Sequence, residues 1–467
     1  MPTLAFTKPW LLDPSAMNGR SIYEFDALVS NEGGLVDVDG VHGVPPPVFA
    51  WLESEALRIA DLGEGSWIRL SQRKGKRAIQ VTSFVGVLRA PNGFQIEVLP
   101  KVGKVIGGGA VEARQLLIDM LCCLQRFRHV QTDKAKLVAR RMPLLEVFIS
   151  EFLRAVELVV KRGLQSDYAA QQDNVFALRG KLMMAPHLRQ NLFRADRFFT
   201  QFDEFTPNRP ENRLLHTALQ HVLRLTTSQE NQKLSRELAF VFADVPLSDL
   251  PSVDFQRVRN DRSMGHYEGA LAWARLILGN ESPMTGSGSH TAPSLLFPME
   301  ALFEAFVAKH LQKQVGSGFV LKTQARSLHL VRHQEQNWFR LKPDLLIHDN
   351  HTSRLVLDAK WKLLDGVKAN GSDKYGLSQA DFYQLQAYGQ SYLDGDGILA
   401  LVYPKTAAFD QPLPVFKFPK SEGLELWVLP FCLKNRTLLA PSSEDFSTYF
   451  EGTKKLETMK AADSNFV

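Results

Sequence analysis

The chain has 467 residues, of which 45% are hydrophobic and 22% charged, with a net charge of +5 and a pI near 8.9. This composition is that of a soluble globular protein, and the length exceeds one ordinary core, so we expect two or three domains. No stretch approaches ~18 uncharged apolar residues, which excludes a membrane-spanning helix, and the N-terminus lacks the pattern of a signal peptide. Cys122, Cys123 and Cys432 form no disulfide or metal pattern; we expect reduced thiols and a cytoplasmic protein.

Residues 1–103 are rich in β-strand signals. Apolar and β-branched runs predict strands over Ser66–Leu70, Ala78–Leu88 and Phe94–Leu99. Three prolines precede a helical pattern over Val48–Ile59. The sequence therefore predicts a small β-rich domain with a helical insertion.

A basic cluster surrounds the glycine turn at Gly75. It consists of Arg69, Arg73, Lys74, Lys76 and Arg77. Such a cluster can be the solvated tip of a hairpin, or it can contact phosphate or an acidic partner surface. The sequence leaves open whether it touches DNA or protein.

Residues 104–290 show mainly helical spacing. Apolar residues recur at intervals of three and four over Glu112–Phe127, Met142–Lys161, Asn212–Thr226 and Met264–Leu278. The second of these helices is expected to end at Gly163. A loop-forming stretch, residues 280–294, then separates this helical middle region from the last domain.

Residues 291–452 alternate helices and strands. A helix begins near Pro298, two buried strands follow over Leu345–Ile347 and Leu355–Leu357, and a helix over Gln379–Tyr392 leads to a buried strand over Ile398–Tyr403. The last residues, 453–467, are expected to form a disordered tail.

Two acids stand at the ends of the paired strands. Asp344 opens the first strand, Asp358 closes the second, and Lys360 follows two residues later on the same face. Two carboxylates with the backbone carbonyl of Ala359 suit a hard divalent ion such as Mg²⁺, and Lys360 suits orientation of water or charge stabilisation. The alternative is a structural hairpin with a surface salt bridge.

Helical residues on either side of the strands support this hypothesis. Gln384 and Tyr388 lie four residues apart, hence on one helical face, and both can donate hydrogen bonds to a nucleotide or phosphate. On the preceding helix Glu304 is a further candidate metal ligand, with a solvent-facing acid as the alternative.

An ordered set of motifs now becomes visible. The segments P-D-L-L-I, L-V-L-D-A-K-W-K, D-F-Y-Q-L-Q-A-Y-G and L-A-L-V-Y-P resemble the PD-(D/E)xK nuclease domain of the McrC family, the nuclease subunits of McrBC-type 5-methylcytosine-dependent restriction systems. Upstream, I-E-V-L-P-K, L-R-G-K-L and F-D-E-F-T-P-N-R-P-E-N-R-L-L are similar to McrC segments. The resemblance extends from about residue 80 to about residue 405.

The resemblance implies a multi-domain α/β protein. It would have a β-rich N-terminal domain (1–103) that binds the partner, a helical middle region (104–290) and a restriction-endonuclease-like α/β/α domain (291–452) with a central mixed sheet. The implied catalytic residues are Asp344, Asp358, Lys360, Gln384 and Tyr388.

The resemblance also implies a metal, a substrate and a partner. The metal would be Mg²⁺, with Mn²⁺ as a substitute, and the substrate double-stranded, methylated DNA. The partner would be an McrB-like AAA+ hexamer that hydrolyses GTP and is stimulated by this chain. In agreement, the sequence has no G-x-x-x-x-G-K-[ST] phosphate loop of its own, so GTP would act only through the partner.

Two other functions fit the same motifs. One is a free-standing nuclease of this fold in DNA repair or another defence system. The other is a non-enzymatic activator of an AAA+ ring. The recognised modification, the cut position and the stoichiometry with the ring are not encoded in any motif found.

Overall fold

A computed structural model describes residues 19–31, 40–62, 67–73, 75–106, 109–124, 143–259, 264–278, 294–349, 352–369, 371–441, 446 and 448–450. The chain divides into two compact units. The first unit is discontinuous in sequence, combining Met1–Gln125 with Leu296–Val467, and the second unit is Arg126–Leu295. Within the described residues, no helix combines the length and the apolar character needed to cross a membrane.

The N-terminal part of the first unit is built on two four-stranded sheets. Its elements are β1 (Gly19–Tyr23), β2 (Ala27–Ser30), β3 (Val41–Val44), α1 (Pro46–Leu62), β4 (Ile68–Arg73), β5 (Lys76–Val81), β6 (Phe84–Arg89), β7 (Gln95–Leu99), α2 (Val102–Ile106) and α3 (Gly109–Leu121). One sheet has the order β3-β2-β5-β4, and the other β1-β7-β6-β11, where β11 is Ser294–Pro298. Leu52 and Ala56 of α1 are buried in the same core as Ile79 and Val98 from the two sheets.

The stretch Ala78–Leu88, predicted as one strand, is two. β5 ends at Val81 and belongs to one sheet, whereas β6 begins at Phe84 and belongs to the other. The Ala78–Val81 part of β5 and most of β6 are buried, and only two residues, Thr82 and Ser83, separate the two strands, so the sequence carries no clear break where the chain changes sheet. The helix predicted over Glu112–Phe127 ends at Leu121.

The second unit combines helices with a small antiparallel sheet. Its elements are α4 (Leu144–Arg162), β8 (Asp167–Val175), β9 (Lys181–Leu182), α5 (Met184–Asn191), β10 (Phe198–Thr206), α6 (Pro210–Leu225), α7 (Gln229–Val241), α8 (Pro251–Arg257) and α9 (Glu268–Leu278). The helix predicted to end at Gly163 does so, and Gly163 adopts a φ of 90° that suits glycine.

The three-stranded sheet of the second unit, β8-β10-β9, was not predicted. The reason lies in β8, whose sequence D-Y-A-A-Q-Q-D-N-V is mostly exposed on both faces. A strand without a buried face has no period-two apolar pattern for sequence reasoning to detect. The sequence thus predicted helices of this region correctly but missed this sheet.

The C-terminal part of the first unit surrounds one seven-stranded mixed sheet. Its elements are α10 (Met299–Leu311), β12 (Val320–Thr323), β13 (His329–His333), β14 (Gln336–Arg340), β15 (Leu345–His348), β16 (Ser353–Ala359), α11 (Gln379–Tyr392), β17 (Gly397–Pro404), β18 (Phe416–Phe418), β19 (Ser421–Cys432) and β20 (Thr437–Leu438). The order is β12-β15-β16-β17-β19-β18, with β20 on β19. The central strands β16, β17 and β19 are parallel, and β15 is antiparallel to β16.

This sheet confirms the α/β class with a central mixed sheet. Its buried core includes Val356, Leu401 and Val428 from the sheet and Leu385 from α11. The strands β12, β13 and β14 were not predicted. The loop over residues 280–294 lies outside the described residues except for Ser294, and the tail over 453–467 lies outside them entirely.

Candidate active site

The two acids are brought together by the hairpin of β15 and β16. Leu345 pairs with Leu357 in the antiparallel register, and one further step sets Asp344 opposite Asp358. The backbone N–H of Ala359 donates a hydrogen bond of 2.8 Å to Asp344 Oδ2. Asp358 is 1% exposed. The acids predicted from sequence thus lie side by side at the ends of two interior strands of a buried sheet.

Lys360 joins the strands to the helix. Its Nζ lies 2.6 Å from Asp358 Oδ2 and donates a hydrogen bond of 3.2 Å to Gln384 Oε1. Asp381, one helical turn before Gln384, lies 3.9 Å from the same nitrogen through its Oδ1. The ammonium group of Lys360 therefore lies between the Asp358 carboxylate of β16 and the first turns of α11.

Gln384 and Tyr388 act as one hydrogen-bonded pair. Gln384 Nε2 donates to Tyr388 Oη at 2.7 Å, and Tyr388 Oη donates to the carbonyl oxygen of Lys342 at 3.0 Å. The i, i+4 spacing on one helical face produces this pairing. Because Lys342 lies two residues before Asp344, the pair connects α11 to the segment that carries the first acid.

Burial and mutual repulsion dominate the electrostatics of the acids. Burial, followed by the charges of Asp358 and Glu304, raises the pKa of Asp344 well above its ordinary value. Burial also raises the pKa of Asp358, against the lowering effect of Lys360. Like charges in a dry site disfavour joint ionisation. The site is thus electrostatically unfavourable for two carboxylates without a compensating cation.

Lys360 and Glu304 respond to the same charges. Burial alone would lower the pKa of Lys360, but Asp358, Asp381 and Asp344 outweigh it and raise the pKa. Burial raises the pKa of Glu304, and the negative charge of Asp358 raises it further. A hydrogen bond of 3.0 Å from Gln324 Nε2 to Glu304 Oε1 lowers the pKa in part. Glu304 thus interacts electrostatically with the paired acids.

The donor set fits a small hard cation. Within the described residues, no three His, Cys, Asp or Glu side chains converge as metal ligands. The available donors are therefore the two aspartates with the Ala359 carbonyl, and Mg²⁺ is commonly held by one or two carboxylates plus waters. The buried Asp358 Oδ2 lies 2.6 Å from the cationic Nζ of Lys360. This position therefore favours positive charge, which a divalent cation would also supply.

Residues beyond the sequence prediction also belong to the site. Asp381 was missed, although its position three residues before Gln384 places it on the same side of α11. Tyr403 Oη donates to Asp381 Oδ2 at 3.3 Å. Gln324 could not have been found, because it reaches Glu304 from a strand end that no apolar pattern marks.

Trp361 connects the site to the N-terminal sheets within the first unit. Its Nε1 donates a hydrogen bond of 2.6 Å to Glu24 Oε1, and Lys101 Nζ donates to its carbonyl oxygen at 3.3 Å. The backbone N–H of Lys101 also donates to Glu24 Oε1, at 2.9 Å. Trp361, which directly follows Lys360, is therefore held by Glu24 just after β1 and by Lys101 just after β7.

The basic cluster lies on the β4–β5 hairpin. Arg69 donates two hydrogen bonds to Gln80 Oε1, at 2.9 and 2.7 Å, and Arg77 pairs with Glu53 at 2.8 Å. Arg73 and Lys76 are exposed, whereas Lys74 lies outside the described residues. Arg69 and Arg77 thus have structural partners, and a contact with DNA or protein stays a prediction.

The fold and the site define a multi-domain α/β protein with a restriction-endonuclease-like domain. Residues 79–404 match the family model of the McrBC 5-methylcytosine restriction system component. This chain belongs to that family, and the resemblance found in the sequence is confirmed. No protein with a curated description matches it.

The solved structures that are similar to the chain include two McrBC assemblies. The first is a refined half-complex from a tetradecameric assembly of Thermococcus gammatolerans McrB AAA+ hexamers with bound McrC; the match has a TM-score of 0.62 and 18% identity over 95% of this chain and 100% of the other. At this identity the likeness concerns the fold. The second, the cryo-EM structure of the T. gammatolerans McrBC complex, matches with a TM-score of 0.45 and 20% identity over 63% and 87% of the two chains.

Proposed function

We propose that this chain is the metal-dependent DNA endonuclease subunit of a modification-dependent, McrBC-like restriction system. The observation that carries the proposal is the convergence of Asp344, Asp358 and Lys360, with Lys360 bonded to Gln384. This is a set of hard oxygen donors and one amine at the ends of two neighbouring strands, which is the chemistry that phosphodiester hydrolysis requires. Family membership over residues 79–404 supports it.

The side chains have separate roles in this proposal. Asp344, Asp358 and the Ala359 carbonyl would hold Mg²⁺, and the bound metal would supply charge neutralisation at the phosphate and activation of a water molecule. Lys360 Nζ, held by Asp358 and Gln384, donates to the negative charge that develops on the phosphate oxygens. Tyr388 holds the Gln384 amide in place from one helical turn away. Mn²⁺ is the expected substitute metal.

The partner in this proposal is an AAA+ GTPase ring. McrB AAA+ hexamers with bound McrC are named for the similar Thermococcus structure, and this sequence lacks a phosphate loop of its own. The chain would stimulate GTP hydrolysis by the ring and receive from it both translocation and recognition of methylated DNA. The compartment in which both work is the cytoplasm.

The proposal is tested by supplying the chain with its AAA+ partner, GTP, Mg²⁺ and methylated duplex DNA. Lys360→Ala is expected to lower cleavage by at least about 100-fold, because one lost donor to a developing oxyanion costs ~10²–10³ in rate. The matched control is Lys362→Ala, which removes an exposed lysine two residues further on and should leave cleavage unchanged.

GTP hydrolysis is measured in the same reactions. If the Lys360→Ala variant cut DNA as fast as the wild type, the assignment of the active site would be refuted. GTPase stimulation by a wild type that never cuts DNA would identify a non-enzymatic activator. Cleavage without any GTPase would indicate a free-standing nuclease.

A further inference from the structure

A two-stranded ribbon stands immediately before the first catalytic acid. β13 and β14 pair with each other, Val331 opposite Trp338, and form a sheet of their own. Every residue of β14 is exposed, as are four of the five residues of β13. The turn takes left-handed backbone at Gln334 and Glu335 (φ 44° and 67°). The ribbon therefore gains little from core packing, and folding alone does not account for its side chains.

The ribbon and its flanks, residues 320–342, are strongly basic. We call this stretch the ribbon segment. Its cationic residues are Lys322, Arg326, Arg332, Arg340 and Lys342, and its single acid is Glu335. Its net charge is thus +4, whereas the whole chain carries +5. Glu335 pairs with Arg332 at 2.8 Å. Because Glu335 is the single acid of the segment, the other four cationic side chains have no acid within the segment to pair with.

Large apolar side chains accompany this charge. Trp338 is 45% exposed and Phe339 69%. Phe339 has a φ of 55°, a left-handed conformation that is a genuine outlier for a bulky residue. Strained backbone that presents an aromatic ring to solvent is typical of a binding element, because a purely structural strand would relax.

The base of the ribbon is fixed to the site. The N–H of Gln324 donates to the carbonyl oxygen of Asp344 at 2.7 Å, and the Gln324 side chain bonds Glu304 at 3.0 Å. At the other end, Tyr388 Oη donates to the Lys342 carbonyl oxygen at 3.0 Å. Both flanks of the ribbon are thus tied to residues of the candidate active site.

We infer that the ribbon segment is a docking surface for double-stranded DNA beside Asp344 and Lys360, an inference that rests on the proposed nuclease function. The charge is complementary to a polyanion, and cations that neutralise phosphates supply most of the affinity for duplex DNA. The major groove admits a two-stranded β-ribbon. The ribbon therefore positions the backbone of the substrate, with Arg340 on a phosphate and Trp338 and Phe339 against the groove.

Binding is measured separately from cutting. The full chain carrying Lys360→Ala, in chelator, is titrated against a fluorescent duplex of about 30 base pairs over about 0.05 to 0.2 M salt. Adding Arg340→Ala should weaken binding about tenfold, equivalent to one charge-assisted hydrogen bond, and reduce the salt slope by about 1. Adding Trp338→Ala should weaken binding with an unchanged slope, because no charge is lost.

The matched controls are Arg236→Ala and Phe240→Ala on α7, both exposed and remote from the ribbon in sequence. They should leave affinity and slope unchanged. Circular dichroism checks that the ribbon variants remain folded. If the Arg340→Ala and Trp338→Ala variants bound the duplex with the same affinity and the same salt slope as the Lys360→Ala parent, the inference would be overturned.

Two further outcomes are distinguishable. If light scattering shows a dimer that the ribbon variants convert to monomer with duplex affinity unchanged, the ribbon contacts a second copy of the chain and the DNA inference is wrong. If the wild type binds DNA through the ribbon but never cuts it with partner, GTP and Mg²⁺, the nuclease function fails while the DNA surface stands.

Discussion

Trp361 Nε1 donates a 2.6 Å hydrogen bond to Glu24 Oε1 across 337 residues of sequence. Both side chains are buried, and Trp361 directly follows Lys360. Lys101 closes the arrangement by bonding to both residues. The segment that directly follows β16 is therefore held by residues next to the N-terminal sheets, within the same compact unit.

Removing the Glu24 carboxylate should destabilise the first unit. Glu24→Leu leaves the Trp361 indole N–H and the Lys101 backbone N–H without their acceptor, and each unsatisfied buried donor costs ~1–3 kcal/mol. Glu24→Gln keeps an acceptor and should cost much less. Urea unfolding at about pH 6 measures both. Equal stability of the two variants would contradict the importance of the hydrogen bonds.

The same carboxyl group should make stability fall with pH. Burial raises the pKa of Glu24 from 4.5 to about 7, against the lowering effects of Lys101 and Trp361, and Glu300 raises it further. Between these two pH values the folded state binds the proton more tightly than the unfolded state. The free energy of unfolding therefore decreases as pH rises through this window, by up to ~3 kcal/mol from this group.

Comparing two pH profiles isolates that contribution. The unfolding free energy of the wild type and of Glu24→Gln is measured from about pH 4.5 to about pH 8. Their difference should shift in favour of the variant as pH rises, because glutamine does not titrate. A constant difference across the window would show that Glu24 does not carry the effect.

Metal should stabilise the wild type and not Asp344→Asn. Burial and the charges of Asp358 and Glu304 raise the pKa of Asp344, so this carboxylate is costly without a cation. Asparagine removes the repulsion, and the variant should exceed the wild type in chelator by about 1–2 kcal/mol. Thermal unfolding with and without Mg²⁺ measures this; saturation at about 100 times Kd adds ~2.7 kcal/mol to the wild type.

The outcome separates metal binding from a salt-bridge role. Equal Mg²⁺-induced stabilisation of the wild type and Asp344→Asn would exclude Asp344 as a ligand. A variant less stable than the wild type in chelator would show that the Ala359 hydrogen bond outweighs the repulsion.

Gly180 should not tolerate a side chain. It adopts a φ of 72°, and an added Cβ would lie 2.3 Å from the Gln201 carbonyl oxygen and 2.8 Å from Phe202 Cβ. The first of these atoms is strand backbone, so relief requires β10 to shift. Gly180→Ala is expected to destabilise the second unit by more than ~2 kcal/mol.

Gly265→Ala is the matched control within the same unit, because an added Cβ there meets no atom within 4 Å. Chemical unfolding of both variants measures the difference. Similar stabilities would mean that the connection between β8 and β9, where Gly180 lies, adapts without cost.

Residues close in sequence made the site predictable. Asp344 and Asp358 end two apolar runs that one turn joins, so their meeting follows from strand pairing alone. Gln384 and Tyr388 share a helical face by spacing alone, and the structure shows them hydrogen-bonded. Their catalytic roles stay predictions.

Contacts between distant segments could not be predicted. Nothing in the spacing of Glu24 and Trp361 indicates that they meet, since their contact depends on how separate sheets pack. The strands β8 and β14 were missed for another reason: both are exposed on two faces and carry no apolar period. The change of sheet between Val81 and Phe84 was missed for a different reason: the two residues between them, Thr82 and Ser83, include no glycine or proline to signal a break between two buried strands.

The pairing of β11 with β6 has a consequence for biosynthesis. β11 begins at Ser294, about 200 residues after β6 ends at Arg89. At roughly 5–20 residues per second, the ribosome needs about 10–40 s to add the missing strand. Until then the nascent chain exposes β6 as an open sheet edge, the feature that templates misassociation. The order of translation thus leaves this edge of the sheet without its partner strand while the second unit is being synthesised.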